Sequence, residues 1–265
     1  MATQLHLVGQ FPGWNTTQII SAVGSRLLGR IAYWPLAGMD VESPRSALDA
    51  LRSAKEEGWI PNDAKTQVTL MLGNELELEN SPGDQYFKNL ENTAVQLDIP
   101  FWKIAPLEND RISLVGTWSS KIAQIINALP NDVQVLLHFC CGSGAQYSMS
   151  ARDMEVMVEL SNQLQPLLTR AIARVHFPAP LRHNDDSYFR SLRNLSKAVR
   201  AVSCLGIIHL SDGLEGAMYR WSLASRYISG FSIGARCGFG ERTNEEILRC
   251  LDLHAEVGLR LDEEN

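Results

Sequence analysis

Along this chain, short apolar runs alternate with longer stretches in which apolar residues recur every three to four positions. The strand-like runs are QLHLVGQF (4–11), RIAYWPLA (30–37), TQVTLML (66–72), PFWKIAP (100–106), VQVLLHFC (133–140), ARVHFPA (173–179), GIIHLSD (206–212) and FSIGARC (231–237). The segments between them carry helical periodicity and recognisable starts. In SPRSALDALRSAKEEG, Ser43 is placed as N-cap and Pro44 as the first helical residue, with a stop at Gly58. The stretches SPGDQYFKNLENTAVQLD, TWSSKIAQIINALP, SARDMEVMVELSNQLQPLL, DDSYFRSLRNLSKAVRAV and TNEEILRCLDLHAEVG follow the same logic. Eight β-then-α units predict an α/β fold, a (β/α)8 barrel of the TIM type. A doubly wound open sheet would want a glycine-rich phosphate loop after the first strand, and VGQFPG is not G-x-G-x-x-G. Few residues separate runs one, two and three, so the barrel is expected to be compact. With no linker in sight, residues 1–265 are expected to form a single domain.

A barrel of this type puts its chemistry at the C-terminal ends of the strands. The costly residues cluster there: His138 and Cys140 end run five, His176 is on run six, His209 and Asp212 end run seven, and Cys237 ends run eight. Strand side chains alternate, so His138 and Cys140 share a face while Phe139 and Cys141 point away. That argues against a vicinal disulfide and places Cys141 in the packing. Taken singly, each residue reads as core. Together, two cysteines and several histidines at one end of a barrel match the thiolate-plus-imidazole chemistry of zinc. A barrel needs no structural staple, so the expectation is a catalytic zinc with an exchangeable position.

Composition and charge narrow the partners. The chain has 265 residues, 45% hydrophobic and 20% charged, which suits a sizeable core. A net charge of −6 without a basic patch disfavours nucleic acid and anionic membrane and favours a small molecule. MATQLHLVGQF has no secretory pattern, and no apolar run reaches membrane-spanning length. The five cysteines are therefore expected to be reduced thiols of a cytoplasmic protein.

Other residues have both a structural and a functional reading. Asp212 is expected to face the mouth, whereas Glu215 divides evenly between helix capping and substrate contact. Trp34, Trp102 and Trp118 are able to stack on a planar substrate, although core packing is the commoner use. Arg182, His183, Asp185 and Asp186 read as a helix start, the glycines of CGFGER as a tight turn, and Cys204, Cys250 and His254 as structural.

The motifs LVGQFP, LLHFC, GARCGFGERTNEEILRCLDLH, RVHFPAPLRHNDDSYFRSL and LGIIHLSDGLEG together resemble a family. It is the C-terminal catalytic barrel of cobalamin-independent methionine synthase, and more closely its short single-barrel homologues, in the superfamily that includes uroporphyrinogen decarboxylase. The resemblance implies a zinc that binds an acceptor thiol as thiolate for attack on a methylated folate, with a strand-seven histidine as proton donor. It places zinc ligands on His138, Cys140 and Cys237 and the proton donor on His209. The family's strand-six glutamate ligand falls on His176, the serine of its GSFP motif on Gln10, and the strand-four aspartate for the acceptor's amino group on Ala105. Zinc binding thus carries over better than recognition of homocysteine.

Three functional readings follow. The first is a zinc-dependent alkyl (methyl) transferase acting on a thiol other than homocysteine, with a folate-type or other alkyl donor. In it, His209 manages protons, with Gln10, Trp34, Trp102 and Glu215 as substrate contacts. The second is a zinc-dependent lyase or hydrolase of a small molecule, with His209 or Asp212 as the catalytic acid or base. The third is a non-catalytic ligand-binding barrel.

Overall fold

A computed structural model of the chain describes residues 2–37, 43–72, 93–101, 111–142, 151–181 and 185–264. The strands are β1 (Leu5–His6), β2 (Tyr33–Pro35), β3 (Lys65–Met71), β4 (Thr93–Pro100), β5 (Gln134–Cys140), β6 (Ile172–Pro178), β7 (Ser203–Ile208) and β8 (Ser232–Ala235). The α-helices among the described residues are α1 (Thr16–Leu27), α2 (Pro44–Glu56), α3 (Arg111–Ala128), α4 (Ala151–Leu164), α5 (Asp186–Phe189), α6 (Lys197–Ala201), α7 (Gly213–Ala224) and α8 (Asn244–Glu264). Every strand pair is parallel, in the order β1-β8-β7-β6-β5-β4-β3-β2. Leu5 bridges Ile31, just before β2, and its N–H donates to the Arg30 carbonyl at 2.8 Å. The sheet therefore comes round almost to closure. This is the (β/α)8 barrel expected from the alternation of runs.

Each strand splits its side chains between two environments. On β5, Leu137 and Phe139 join the large apolar layer between sheet and helices, as do Val95, Leu97 and Ile99 on β4. The opposite faces point into the barrel, where among the described residues Tyr33, Ala94 and Leu136 form a small apolar cluster. The rest of the interior is strongly polar. His6, Gln67, Gln96, Asp98, His138 and His176 are all buried, where most such barrels carry branched apolar side chains.

Fourth-strand placement departs from the sequence reading. The sequence pattern predicts a helix through TAVQLD and a strand at 100–106, but the strand is Thr93–Pro100. Its register puts Asp98 beside His138 and Pro100 beside Cys140. The alternation is present, yet inverted in polarity: Ala94, Gln96 and Asp98 face inward. An inward Gln and Asp mimic the polar face of a helix, and this hid the strand. Trp102 and Ala105 lie outside the described residues.

Two helices also differ. Asn15 caps α1 in a capping box with Gln18, a signal the sequence reading passed over. The stretch from Asp186 is not one helix but α5, a 3-10 segment at Arg190–Asn194, and α6, which restarts on the Ser196 cap. Ser43 does cap α2, accepting from the Ser46 N–H at 3.2 Å.

Trp34 is fully buried and belongs to the apolar layer outside the sheet, with its ring against Gly24 of α1. It therefore packs the wall and does not line the mouth. Trp34→Ala should cost about 3–5 kcal/mol in urea unfolding while leaving metal binding intact. Unchanged stability with weakened ligand binding would return the ring to the mouth.

Candidate metal centre

β5 ends in His138 and Cys140 on its inner face, and the turn after β8 brings Cys237 across to meet them. Their ligand atoms all lie within 4.8 Å of one another, and these three could hold a metal ion. The two sulfurs are 3.7 Å apart, and Cys237 Sγ is 3.7 Å from His138 Nε2. Tetrahedral zinc, with bonds near 2.3 Å to sulfur and 2.0–2.1 Å to nitrogen, sets S···S at about 3.8 Å and S···N at about 3.6 Å. The two separations match those values, so the donor set fits such an ion.

Ionisation within the trio is shared unequally. The hydrogen bond shared with Cys140, together with His138, holds the Cys237 thiol well below its ordinary range, against the opposing effect of burial. Cys140 is pushed up by that same bond to Cys237 and by burial. Burial would lower His138, but Asp98 and Cys237 raise it.

Around it lie buried polar contacts that draw on six strands. His138 Nδ1 and His176 Nδ1 are 2.8 Å apart, and His176 Nε2 lies 3.0 Å from the Ala235 carbonyl. Both ring nitrogens of His176 are occupied, and it stands outside the three-residue group, so it is not brought in as the fourth ligand. Burial holds His176 well below its usual value, assisted by His138 and His6. Gln96 is central to the network: its amide donates to Val8 O at 2.8 Å and to Asp98 Oδ1 at 2.9 Å, while its Oε1 accepts from His6 Nε2 at 2.9 Å and from Gln67.

Asp98 is the residue that the misplaced fourth strand concealed. Its Oδ2 is buried and makes no hydrogen bond. Burial pushes its carboxyl up to about 7, Cys237 adding to the effect and His138 and Gln96 opposing it. β4 thus carries an inward carboxyl group at Asp98, seven residues before Ala105 in the chain.

The other expected site residues are distributed unevenly. His209 is buried beyond the end of β7, with Nε2–H donating to the Ala179 carbonyl at 3.1 Å. Burial, Arg220 and Arg236 pull it down to about 3, so its ring is neutral. Asp212 makes no capping bond to α7. Both its oxygens accept from the buried Arg220, at 2.6 and 2.8 Å, and Arg220 also donates to the Ile207 carbonyl. Burial alone would raise Asp212, but the guanidinium holds it below the ordinary carboxylate range. The clamp fixes the Asp212 side chain against Arg220 of α7. Gly216 makes the clamp possible, since a Cβ there would fall 2.1 Å from the Asp212 carboxyl carbon. Glu215 is exposed in the first turn of α7.

Gln10, after β1, has φ 59°, the left-handed region that costs a non-glycine residue energy. Its side chain lies over the turn that carries Cys237: a Cβ on Gly238 or Gly240 would fall 2.9 or 3.0 Å from Gln10 Oε1. The Phe239 N–H donates to Gly9 O at 3.0 Å. The first and last strands' loops thus clasp each other at the mouth, with Gln10 next to Cys237 in the chain of contacts.

No family model and no curated protein matches this chain. Among solved structures it is similar to a B12-independent methionine synthase from Shewanella sp. W3-18-1 in complex with selenomethionine, at 13% identity and a TM-score of 0.48. That likeness covers 88% of this chain, which spans 62% of the other. It is also similar to an HMG-CoA lyase from Brucella melitensis, at 12% identity and a TM-score of 0.46, covering 99% of this chain and 98% of that one. Neither likeness bears on the chemistry, and the barrel assignment rests on the strand order. Among the described residues no helix is long and apolar enough to cross a membrane.

The His209 environment has a consequence for acid stability. An unfolded imidazole titrates near 6.5, whereas the folded one does so at about 3. Below about pH 6.5 the unfolded chain takes up a proton that the folded chain refuses. The contribution is therefore complete above that pH and is lost as pH falls towards 3. Urea unfolding at pH 7.5 and 5 should show a smaller acid-side loss for His209→Gln than for wild type. Equal losses would mean that His209 protonates freely in the fold.

Proposed function

We propose that this barrel is a zinc-dependent enzyme that activates a substrate thiol for alkyl transfer, the chemistry of the cobalamin-independent methionine synthases its motifs resemble. The observation that carries the reading is the 3.7 Å spacing of the Cys140 and Cys237 sulfurs and of Cys237 with His138 Nε2. Zinc held there would act as a Lewis acid, lowering the proton affinity of a thiol or water bound beside it.

The chain's own residues then set the preference. Three protein donors leave a position for a donor from the substrate, and two thiolates favour a soft one. Two thiolates and a neutral imidazole offset the charge of Zn²⁺, so an incoming thiolate makes the site −1 and its sulfur stays electron-rich. His209 has committed its proton to Ala179, which leaves Nδ1 to accept from a substrate N–H, O–H or S–H. Arg220 and Asp212 hold the β7 turn in place for that contact. Gln10 and the glycine-rich turn after Cys237 border the mouth. The partners are small molecules, a thiol and a donor of folate type or another activated alkyl compound. The net charge of −6 favours such partners over nucleic acid or anionic membrane in a cytoplasmic setting.

A zinc-dependent lyase or hydrolase is the second reading. It draws support from Asp98, whose unpartnered oxygen sits on the strand beside His138 and is suited to handling a proton from water or from a substrate carbon.

Elemental analysis should find one zinc per chain in wild type and almost none in a Cys140→Ser, Cys237→Ser double variant. The zinc-loaded protein should then methylate a panel of small thiols from a methylated folate or sulfonium donor, and the double variant should not. Turnover that needs no thiol would favour the lyase or hydrolase reading. Stoichiometric zinc without turnover of either kind would point to a ligand-binding barrel, and zinc indifferent to the double substitution would remove the site altogether.

A further inference from the structure

We infer that His176 is a positioning residue for the metal centre: it holds His138 in the tautomer whose proton is on Nδ1, so that Nε2 faces the two sulfurs as a donor. This rests on the metal reading above and departs from the expectation that His176 is itself a ligand.

The argument follows from what each atom is able to do. The Ala235 carbonyl is an acceptor only, so the 3.0 Å contact requires a proton on His176 Nε2. His176 is buried in the barrel beside the His6 ring, with centroids 5.8 Å apart, and its contacts are a histidine and a carbonyl, so its ring is neutral. A neutral imidazole with its proton on Nε2 has a lone pair on Nδ1. The 2.8 Å Nδ1···Nδ1 contact then requires His138 to donate from Nδ1. His138 Nε2 is left to point at Cys237 Sγ, 3.7 Å away. A metal-ligating histidine whose other nitrogen donates to a fixed acceptor has its tautomer and ring orientation set by that acceptor. Here the acceptor is a second histidine, itself fixed by backbone.

The barrel is cut to admit that second ring. A Cβ on Gly206 would fall 2.8 Å from His176 Cε1 and 2.9 Å from its Nε2. A Cβ on Gly234 would fall 2.5 Å from the His6 carbonyl and 3.7 Å from His176 Nε2. Two interior positions on β7 and β8 thus carry no side chain, and the ring fills the space. The same packing fixes His176 beside His138, so among the described residues the donors grouped for a metal are His138, Cys140 and Cys237.

Cadmium-113 loading of protein labelled with nitrogen-15 at histidine tests this directly. Cadmium should couple to one histidine nitrogen, Nε2 of His138, and the same ring should show a protonated Nδ1. Coupling to two histidine rings, or to His138 Nδ1, would overturn the inference. In chelator competition, zinc affinity should fall about 10–100-fold in His176→Phe. His176→Gln, whose carbonyl accepts and whose amide donates, should recover most of that loss. Wild-type affinity in a folded His176→Phe would overturn the inference, and if that variant does not fold, the cadmium spectrum of wild type decides. Cadmium that binds wild type and the Cys140→Ser, Cys237→Ser variant alike would defeat the metal reading itself, and the inference with it.

Discussion

Everything at the mouth of this barrel depends on a chain of hydrogen bonds between groups that have lost their water. It runs from the Ala235 carbonyl through His176 to His138, and on to Cys237 and Cys140. Buried polar groups are tolerable only when each has a partner of the right kind. The interior here meets part of that demand through Gln96, which joins His6, Gln67, Val8 and Asp98 in one network. His6 Nδ1, Gln67 Oε1 and Asp98 Oδ2 are among the buried atoms left without a partner, and Asp98 lies on the strand next to His138. An unpaired carboxylate oxygen is costly in such a place, and it sits where a ligand would use it.

Space is arranged as deliberately as charge. Gly206 and Gly234 clear room for the His176 ring, Gly216 for the Asp212–Arg220 pair, and Gly238 for the approach of Gln10 and Gly9. In each case a single methyl group would collide with a side chain or carbonyl that supports the mouth. The strained backbone of Gln10 fits the same pattern. The loop after β1 accepts an unfavourable conformation while it packs against the turn that delivers Cys237.

Electrostatics then divides the roles of the acids and bases. Arg220, fully buried and bonded to Ile207, commits Asp212 to a structural clamp. The same cation, with burial and Arg236, keeps His209 neutral. Asp98 is treated oppositely: burial raises it, and no cation is placed to lower it again other than His138. Two carboxylates near one mouth therefore differ in kind, one fixed as an anion and the other held where gaining or losing a proton is easy.

The sequence by itself determined the architecture and the heart of the site. Eight apolar runs alternating with helical periodicity dictate a parallel barrel, and strand alternation places His138 and Cys140 on one face with Cys141 behind. Those are local properties, legible because side-chain direction follows from chain position. It could not locate β4, since Gln96 and Asp98 face inward and invert the usual polarity, nor foresee that Trp34 faces α1. What His176 does was likewise undetermined, because a histidine's role depends on which groups meet its two nitrogens. Those groups, His138 and Ala235, lie 38 and 59 residues away in the chain. Only the closing of the barrel brings them together, and only that decided which nitrogen of His138 is turned towards the sulfurs.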